Sequence, residues 1–256
     1  MIYSKSWSEL DTMHRANSIV LDILRRLKEM VVPGITTADL DRMAEEWTFE
    51  AGALPAFKGY GRGNRPYPAT LCASVNEEIV HGIPGPRQLK DGDIIGLDMG
   101  VIVDGYYGDS AMTVPVGTIS SDARRLVDAT EKSLDLGVQQ VVVGNRVSDI
   151  GHAVHSYVKG LGYTVVKEFT GHGIGRALHE DPQVPNYGEP GHGPRISEGM
   201  VLAIEPMVCA GRSDVVIADD QWTASTADGS LSAHFERSVA ATPKGPWILG
   251  ESAPAR

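Results

Sequence analysis

The spacing of apolar residues predicts four amphipathic helices, arranged as two pairs, each followed by extended segments. In the first pair, apolar residues recur every three or four positions, as they do on one face of an α-helix. The first helix has a candidate cap at Ser6 or Ser8 and ends at Pro33–Gly34. The second helix runs from about Thr37 to Ala51 and stops at a glycine.

The second pair of helices shows the same apolar spacing. The third helix has a candidate cap at Ser120 or Ser121. The fourth has a candidate cap at Ser148 and ends at Gly160 or Gly162. No convincing internal repeat relates the two pairs at the level of sequence.

Between the pairs the pattern becomes extended. Residues 54–68 are rich in glycine, proline and aromatic residues, which predicts a loop before a strand at 70–76. Loops of this composition often border pockets, although a surface crossing is the ordinary interpretation. A β-branched run then turns at Asp104–Gly105, and it predicts a hairpin from Leu97 to Val114. Helices alternating with antiparallel strands indicate an α+β fold.

The hairpin carries two carboxylates that we expect to share one site. Counting from its turn, Asp98 faces a residue near 111, which brings it close to Asp109. Residues 91–123 contain no lysine or arginine, so two ionised carboxylates there would repel each other unless a cation lay between them. The segment therefore indicates a metal, although for this segment alone two solvated acids beside a turn is the better interpretation.

The last third of the chain adds three candidate ligands. Glycines flank His172 in a predicted turn, where backbone can approach a ligand closely. Glu205 is predicted inside an apolar strand before Pro206, a costly place for an unpaired carboxylate. Glu236 is predicted on another short strand beside Arg237; alone it would be interpreted as half of a surface salt bridge.

These five residues form a donor set of one imidazole and four carboxylates. The set is too rich in oxygen for a structural zinc site and lacks the loop pattern of an EF-hand. It suits two divalent transition ions bridged by carboxylates, about 3.5 to 4 Å apart, which lower the pKa of a bridging water and polarise a carbonyl. The chain has neither a phosphate-binding loop motif nor the G-x-S-x-G motif of serine hydrolases.

The remaining histidines are weaker candidates. His81 lies at the end of a predicted strand, where a single histidine is usually structural, and His179 precedes Glu-Asp-Pro. His14 is predicted at the surface or its boundary. His152 and His155 are three positions apart on a helix but lack a suitable set of carboxylates, so we expect them to be solvated or at a boundary.

Composition narrows the classes of function. The chain has 256 residues, 42% of them hydrophobic, which is enough for a large core in one domain or two fused halves. A net charge of -10 argues against binding to nucleic acids or anionic membranes. Two cysteines in a chain of this length indicate reduced thiols, and the first residues lack an apolar signal core. We therefore expect a cytoplasmic protein without a membrane segment.

Five motifs in order resemble those of the type I methionine aminopeptidases: SVNEEIVHGIP, GLDMGVIVDGYYGDSAMT, TGHGIGRALHEDP, LAIEPM and SLSAHFERSV. The resemblance covers nearly the whole chain. It implies one pita-bread domain over residues 1–256, in which two pseudo-symmetric halves surround a dinuclear site with a curved antiparallel sheet and outer helices. The symmetry rests on the resemblance alone.

The resemblance also implies residue roles. The metal ligands would be Asp98, Asp109, His172, Glu205 and Glu236. His81 would lie near the substrate amide nitrogen, His179 would position the scissile carbonyl, and Glu205 would act as the base for the bridging water. The substrate pocket would contain Tyr67, Cys72, Leu178 and Trp222. The chain departs from the family pattern at Leu178, where phenylalanine is frequent, and in the loop YGRGNRPYP.

The implied activity is removal of the initiator methionine from nascent polypeptides and peptides whose second residue is small. Two ions of Co, Mn, Fe or Zn would serve it, and the resemblance suggests a monomer with a transient ribosome contact. Two alternatives stay open. An aminopeptidase P or prolidase shares the fold but carries a large N-terminal domain, and a non-catalytic binding relative typically lacks some ligands.

Overall fold

The computed structural model describes residues 2–61 and 65–252, and its helices form the two predicted pairs. They are α1 (Trp7–Met30), α2 (Thr37–Glu50), α3 (Ser121–Val138) and α4 (Val147–Gly160). Ser6 and Ser120 cap α1 and α3 through their side chains, as the sequence predicts. Part of the predicted loop, residues 62–64, lies outside the described residues.

The described residues also form fifteen strands, most of them short. They are β1 (Leu54–Pro55), β2 (Leu71–Val75), β3 (Glu78–Val80), β4 (Ile94–Val103), β5 (Tyr106–Pro115), β6 (Thr164–Val165), β7 (Gly171–Gly173), β8 (Glu180–Val184), β9 (Val201–Ile204), β10 (Met207–Cys209), β11 (Val215–Ile217), β12 (Ala224–Thr226), β13 (Ser232–His234), β14 (Glu236–Thr242) and β15 (Gly245–Ile248).

A nine-stranded antiparallel sheet is the centre of the fold. Its main order is β1-β4-β5-β14-β9-β7-β8, with β2 added on β4 and β15 on β14. Two three-stranded sheets, β13-β10-β6 and β11-β12-β3, flank it. The hairpin β4–β5 and strands from the last third of the chain meet where β5 pairs with β14. The large sheet therefore joins the two halves of the chain.

Alternation along the strands gives the large sheet two different faces. In β4, Leu97, Met99 and Val101 are fully buried in a core with α1 and α2. In β9 and β14, Leu202, Ile204 and Val239 belong to a second core with α3 and α4. Because neighbouring residues of a strand point to opposite faces, the intervening positions face away from the helices. These intervening positions include the candidate ligands.

The two halves contain a structural repeat that the sequence analysis missed. Residues 31–40 (VVPGITTADL) and 141–150 (VVVGNRVSDI) both form a turn, an isolated bridge and the start of a helix. Gly34 and Gly144 occupy the same left-handed conformation, with φ of 96° and 103°. Their amides donate to the carbonyls of Leu89 and Ile196 respectively. Few identical residues are needed for this geometry, so the repeat is weak in sequence.

The predicted cap of α4 is wrong. The helix begins at Val147 with Arg146 in the cap position, and the side chain of Arg146 accepts no hydrogen bond there. Asp149 instead accepts from the Arg146 amide through Oδ2 at 2.7 Å. The Ser148 hydroxyl, which the sequence offered as a cap, accepts from the His192 amide at 2.7 Å. Asp149, in the first turn of α4, thus supplies the side-chain hydrogen bond at this helix end that the cap residue does not.

None of the helices in the described part of the chain is long and apolar enough to cross a membrane. Cys72 and Cys209 are both buried and unpaired, as expected for reduced thiols. His14, His152 and His155 are each partly exposed, in agreement with the sequence analysis.

Candidate metal centre and active site

The hairpin brings its two carboxylates to one face of the sheet. Asp98 pairs with Ala111 and Asp109 pairs with Gly100, so the two acids are diagonal neighbours across β4 and β5. The predicted register, with Asp98 opposite residue 111, is therefore confirmed. The partner positions carry a methyl group or no side chain at all, which leaves space above the sheet for the carboxylates.

Pairing between the two halves adds Glu236 to this face. The first residue of β14 lies opposite Ala111, and Asp98 lies opposite Cys72 on β2. Cys72, Asp98, Ala111 and Glu236 therefore form one row across four strands. Glu236 is buried, with 3% of its surface exposed, so it is not half of a surface salt bridge.

A neighbouring row contributes His172. It is paired with Ala203 on β9, which in turn is paired with Ser238 on β14. The Ser238 hydroxyl donates to the Asp109 carbonyl at 2.9 Å, which continues the row towards the hairpin. His172 lies on a short strand and not in a turn, because its backbone bonds to strands on both sides.

Glu205 occupies a different place from the one predicted. It follows β9 and precedes Pro206, so it lies at a break between two strands and not inside one. Proline has no N–H to donate to a sheet ladder, which explains why β9 ends there. The side chain still points into the same site, with 14% of its surface exposed and Oε1 at 3.5 Å from His172 Nε2.

The five candidate ligands all line one cavity, and three of them form a close group to which Asp98 and Glu205 do not belong. Donor atoms of Asp109, His172 and Glu236 are all within 4.8 Å of one another, close enough to bind one ion. Buried oxygens of three acids have no hydrogen-bond partner in the described structure: Asp98 Oδ1, Asp109 Oδ1 and Glu236 Oε1. Buried polar atoms are normally paired, so these oxygens fit residues that bind a cation.

The electrostatics of the carboxylates support the same interpretation. Burial raises the pKa of Asp98 to about 7. Burial, and then repulsion from neighbouring acids, raises the pKa of Asp109 and of Glu236 well above the usual range. Burial and the charge of Asp98 do the same to the pKa of Glu205. Positive charge at the centre would reverse these shifts, because it stabilises the ionised form.

The orientation of His172 suits a metal ligand. Its Nδ1 lies 2.9 Å from the carbonyl oxygen of Gly173 and donates to it, which leaves Nε2 with a lone pair towards the carboxylates. Burial, and then the nearby His179, lowers the pKa of His172 to about 3. The imidazole is therefore neutral at physiological pH, the form that binds metals.

His81 and His179 line the same cavity without joining the ligand cluster. His81 follows β3 in a left-handed conformation, with φ of 61°, and its ring meets Phe169 and Trp222 edge to face. Burial lowers the pKa of His81 to about 4. His179 packs against the ring of His172, with centroids 4.2 Å apart. Both rings are neutral hydrogen-bonding groups at the edge of the candidate metal centre.

An apolar wall completes the cavity, whose volume is about 140 Å³. All four predicted pocket residues line it: Tyr67, Cys72, Leu178 and Trp222. The Tyr67 hydroxyl donates to the carbonyls of Leu71 and Gly82 at 3.0 Å, and its ring meets Trp222 edge to face. Pockets for drug-sized ligands are typically about 300 Å³ or more, so this cavity suits a single amino-acid side chain.

Three further residues of this region were not predicted from the sequence. Phe57 and Tyr60 line the cavity from the loop after α2, so this loop borders a pocket and the ordinary interpretation of a surface crossing is wrong for these residues. His234 lies behind Glu205, with Nε2 at 4.0 Å from Glu205 Oε2 and buried without a hydrogen-bond partner in the described structure. Its position two residues before Glu236 on a neighbouring short strand was the only available signal.

The fold and this centre define a class of protein, and comparisons agree with it. Residues 11–243 match the model of metallopeptidase family M24. The chain is 51% identical over 250 residues to a methionine aminopeptidase of Clostridium perfringens, covering 97% of this chain and 98% of that protein. The chain therefore belongs to metallopeptidase family M24, within its group of methionine aminopeptidases.

Solved structures give the same placement. The crystal structure of a methionine aminopeptidase from Thermotoga maritima superposes with a TM-score of 0.95 at 42% identity, covering 98% of this chain and all of that one. The pita-bread architecture is thereby confirmed. A prolidase from Pyrococcus furiosus gives a TM-score of 0.77 at 20% identity, and this chain covers 66% of it. That likeness concerns the fold alone.

Proposed function

We propose that this protein removes the N-terminal methionine from polypeptides and peptides whose second residue is small. The observation that carries the proposal is the juxtaposition of a five-residue acidic centre with a small apolar cavity. The centre supplies hydrolytic chemistry, and the cavity accommodates one side chain. An exopeptidase that recognises one terminal residue requires both in the same cavity, as they are here.

Two divalent ions would be held by Asp98, Asp109, His172, Glu205 and Glu236. Four carboxylates can balance the charge of two such ions, and their raised pKa values and unpaired oxygens support this use. When bound, such ions lower the pKa of a water and polarise a carbonyl. Donor sets rich in carboxylate accept Co, Mn, Fe or Zn according to supply, so the choice of ion is not encoded here.

The chain's own residues perform the proton transfers and the orientation. Glu205 lies at the edge of the centre and accepts the proton of the attacking water. His81 lies near the nitrogen of the scissile amide and donates a hydrogen bond there as the bond breaks. His179 donates to the oxygen of the scissile carbonyl, where negative charge develops during attack.

The apolar wall selects the first residue of the substrate. A methionine side chain is long, flexible and polarisable, so it packs against aromatic rings and the Cys72 sulfur. The free amino group lies towards the acidic centre, which limits cleavage to the first peptide bond. His81 and His179 crowd the position of the second residue, which favours glycine, alanine, serine and other small residues.

The protein acts on free N-termini, including those of nascent chains, and we propose that it does so as a cytoplasmic monomer. Two buried and unpaired cysteines support a reducing compartment. A transient contact with the ribosome stays a prediction.

A peptide panel tests the specificity. We expect Met-Ala-Ser to be cleaved with a much higher kcat/KM than Met-Lys-Ser or Leu-Ala-Ser, and Ala-Pro peptides to be refused. Equal rates for Met-Ala-Ser and Met-Lys-Ser, or a preference for Ala-Pro, would reject this function. A preference for Ala-Pro peptides would favour the prolidase alternative.

A substitution of His81 separates catalysis from metal binding. His81→Ala should lower kcat by about 10²- to 10⁴-fold, the range for a lost acid–base group, while leaving the bound metal content unchanged. His155→Ala, which removes a partly exposed histidine on α4, is the matched control. Loss of metal from His81→Ala would mean that His81 is a ligand.

A further inference from the structure

Tyr60 contacts the active site through a short hydrogen bond. Its hydroxyl lies 2.5 Å from Nδ1 of His179, and the two rings are tilted with centroids 5.3 Å apart. Tyr60 lies on the loop that departs from the family pattern, between α2 and β2. Tyr60 and His179 are 119 positions apart in the chain, so only the folded structure brings them together.

The backbone around Tyr60 is fixed by the pocket wall. The Tyr60 amide donates to the Phe57 carbonyl, and the Tyr67 amide donates to the Tyr60 carbonyl, each at 2.8 Å. The Gly59 amide donates to the Tyr67 carbonyl at the same distance. Three backbone bonds therefore hold Tyr60 in place beside Tyr67, although 38% of the Tyr60 surface is exposed.

The partner of Nδ1 decides which nitrogen of a neutral imidazole carries the proton. At His172, Nδ1 faces a carbonyl, which can only accept, so the proton is on Nδ1 and the lone pair is on Nε2. At His179, Nδ1 faces a phenol, which is a better proton donor than a neutral imidazole N–H. The phenol therefore donates to Nδ1, and the proton of His179 is on Nε2.

We propose that Tyr60 is a positioning residue that holds His179 as its Nε2–H tautomer. Two imidazoles in contact then have opposite tautomers, each set by its Nδ1 partner. His172 presents a lone pair to the acidic centre, whereas His179 presents an N–H donor to the cleft. This assignment rests on the proposed function only for the role of that donor, which is to stabilise the oxygen of the scissile carbonyl.

The proposal predicts a kinetic signature. A donor aimed at the carbonyl oxygen acts most strongly when negative charge develops on that oxygen, so its loss lowers kcat more than it raises KM. In Tyr60→Phe only the hydroxyl is removed, and the ring stays against His179. We expect kcat for Met-Ala-Ser to fall about 10- to 100-fold, as for other lost orienting partners. KM and bound metal content should stay close to those of the unchanged protein.

Tyr106→Phe is the matched control. The Tyr106 hydroxyl donates a similarly short bond, 2.6 Å, to Glu9, and Tyr106 lies outside the cavity. The control should keep its kcat. If Tyr60→Phe also keeps its kcat, or if only its KM changes, the positioning role is rejected.

A spectroscopic test decides the tautomer independently of activity. The full chain is labelled with ¹⁵N-histidine, loaded with zinc, and studied by long-range ¹H–¹⁵N correlation; the signals of His179 are those missing from His179→Asn. We expect Nε2–H in the unchanged protein, and Nδ1–H or a mixture in Tyr60→Phe. Nδ1–H in the unchanged protein, or Nε2–H alone in both proteins, overturns the proposal. If the spectra are as expected but the unchanged protein does not cleave Met-Ala-Ser, the proposed function is rejected and the tautomer assignment is retained.

Discussion

Each half of the molecule has a helical frame, which is its helix pair (α1 and α2, or α3 and α4) with the repeated turn between the two helices. The two halves nevertheless contribute their candidate site residues in different ways. The first half supplies Asp98 and Asp109 from one hairpin of two ten-residue strands. The second half supplies three donors from a three-residue strand, the first residue of a seven-residue strand, and a strand break. Neither half holds the whole set, and the pairing of Glu236 with Ala111 joins them. The centre therefore forms only where β5 pairs with β14, and we call this junction the seam between the halves.

The helical frames also differ at one matched position. Thr36 caps α2 by accepting from the Asp39 amide through its side chain. Arg146, at the equivalent place before α4, has no such bond and donates instead to the Gly193 carbonyl. The same turn thus tolerates a good and a poor capping residue, because the surrounding backbone bonds are retained in both copies.

Removal of a ligand from either half should have the largest effect. Asp109→Asn in the first half and Glu236→Gln in the second should each weaken metal binding and lower kcat/KM by more than about 100-fold, since each removes a charge at the centre. Calorimetric titration with Mn²⁺ and the Met-Ala-Ser assay measure the two effects.

Asp104→Asn is the control for these substitutions. It changes an exposed acid in the same hairpin, at the turn, where asparagine also tolerates the positive φ of 50°. This variant should bind metal normally. Normal binding by Asp109→Asn or by Glu236→Gln would show that the half concerned is not needed.

The stability of the metal-free protein should fall as pH rises from 7 to 8. The carboxylates of the centre ionise near pH 4 in the unfolded chain, but in the folded state their raised pKa values keep them protonated at higher pH. Asp98, with a pKa of about 7, is the first of them to ionise in the folded state. The folded state then binds more protons, so stability decreases with pH. Each retained proton contributes about 1.4 kcal/mol per pH unit, or several degrees in Tm.

The buried histidines do not oppose this trend in that window. Burial lowers the pKa of three histidines: His81, His172 and His234. They therefore reduce the stability of the folded protein only when the pH falls below about 6.5, the pKa of an unfolded histidine. Melting curves in chelator at pH 7 and 8 measure the effect, and Glu236→Gln should reduce it. A Tm that rises over this interval would contradict the electrostatic account.

Leu178→Phe should change specificity by a smaller factor. Leu178 is buried in the cavity wall. A larger ring there narrows the cavity, so we expect the ratio of kcat/KM for Met-Ala-Ser over Leu-Ala-Ser to rise about two- to tenfold. Leu161→Phe makes the same change at an exposed position directly after α4 and should leave the ratio unchanged. A lower ratio in Leu178→Phe would exclude Leu178 from the methionine pocket.

The caps of the two helical frames should give the smallest effect. Thr36→Ala should lower the free energy of unfolding by about 1 kcal/mol, and Arg146→Thr should raise it by a similar or smaller amount. The backbone at Arg146 is extended, so a β-branched residue fits there. Urea unfolding measures both. No gain in stability from Arg146→Thr would show that the poor cap at this position does not destabilise the second helix pair.

Local features of the fold could be predicted from the sequence. The hairpin register follows from one Asp-Gly turn, so the facing of Asp98 and Ala111 could be deduced by counting residues outwards from that turn. Caps at Ser6 and Ser120 likewise depend on neighbouring residues. The repeated turn before α2 and α4 escaped detection because its geometry requires a glycine and one acid, and the two ten-residue segments otherwise share only two valines.

Long-range pairing could not be deduced in the same way. Nothing near Glu236 in the chain indicates that it pairs against Ala111, so the sequence grouped it with the other candidate donors without placing it beside the hairpin. Glu205 was misplaced because an apolar run suggests one continuous strand, whereas Pro206 divides it. Tyr60 and His234 were missed because their partners, His179 and Glu205, are distant in sequence.

The central claim is that the seam between the halves binds divalent ions and that hydrolysis requires them. The most direct test is the Met-Ala-Ser assay on protein stripped with a chelator, with elemental analysis to establish that no metal is left. The account predicts no measurable cleavage by the stripped protein and recovery after addition of Mn²⁺, Co²⁺ or Fe²⁺. Full cleavage by protein shown to be free of metal would contradict it.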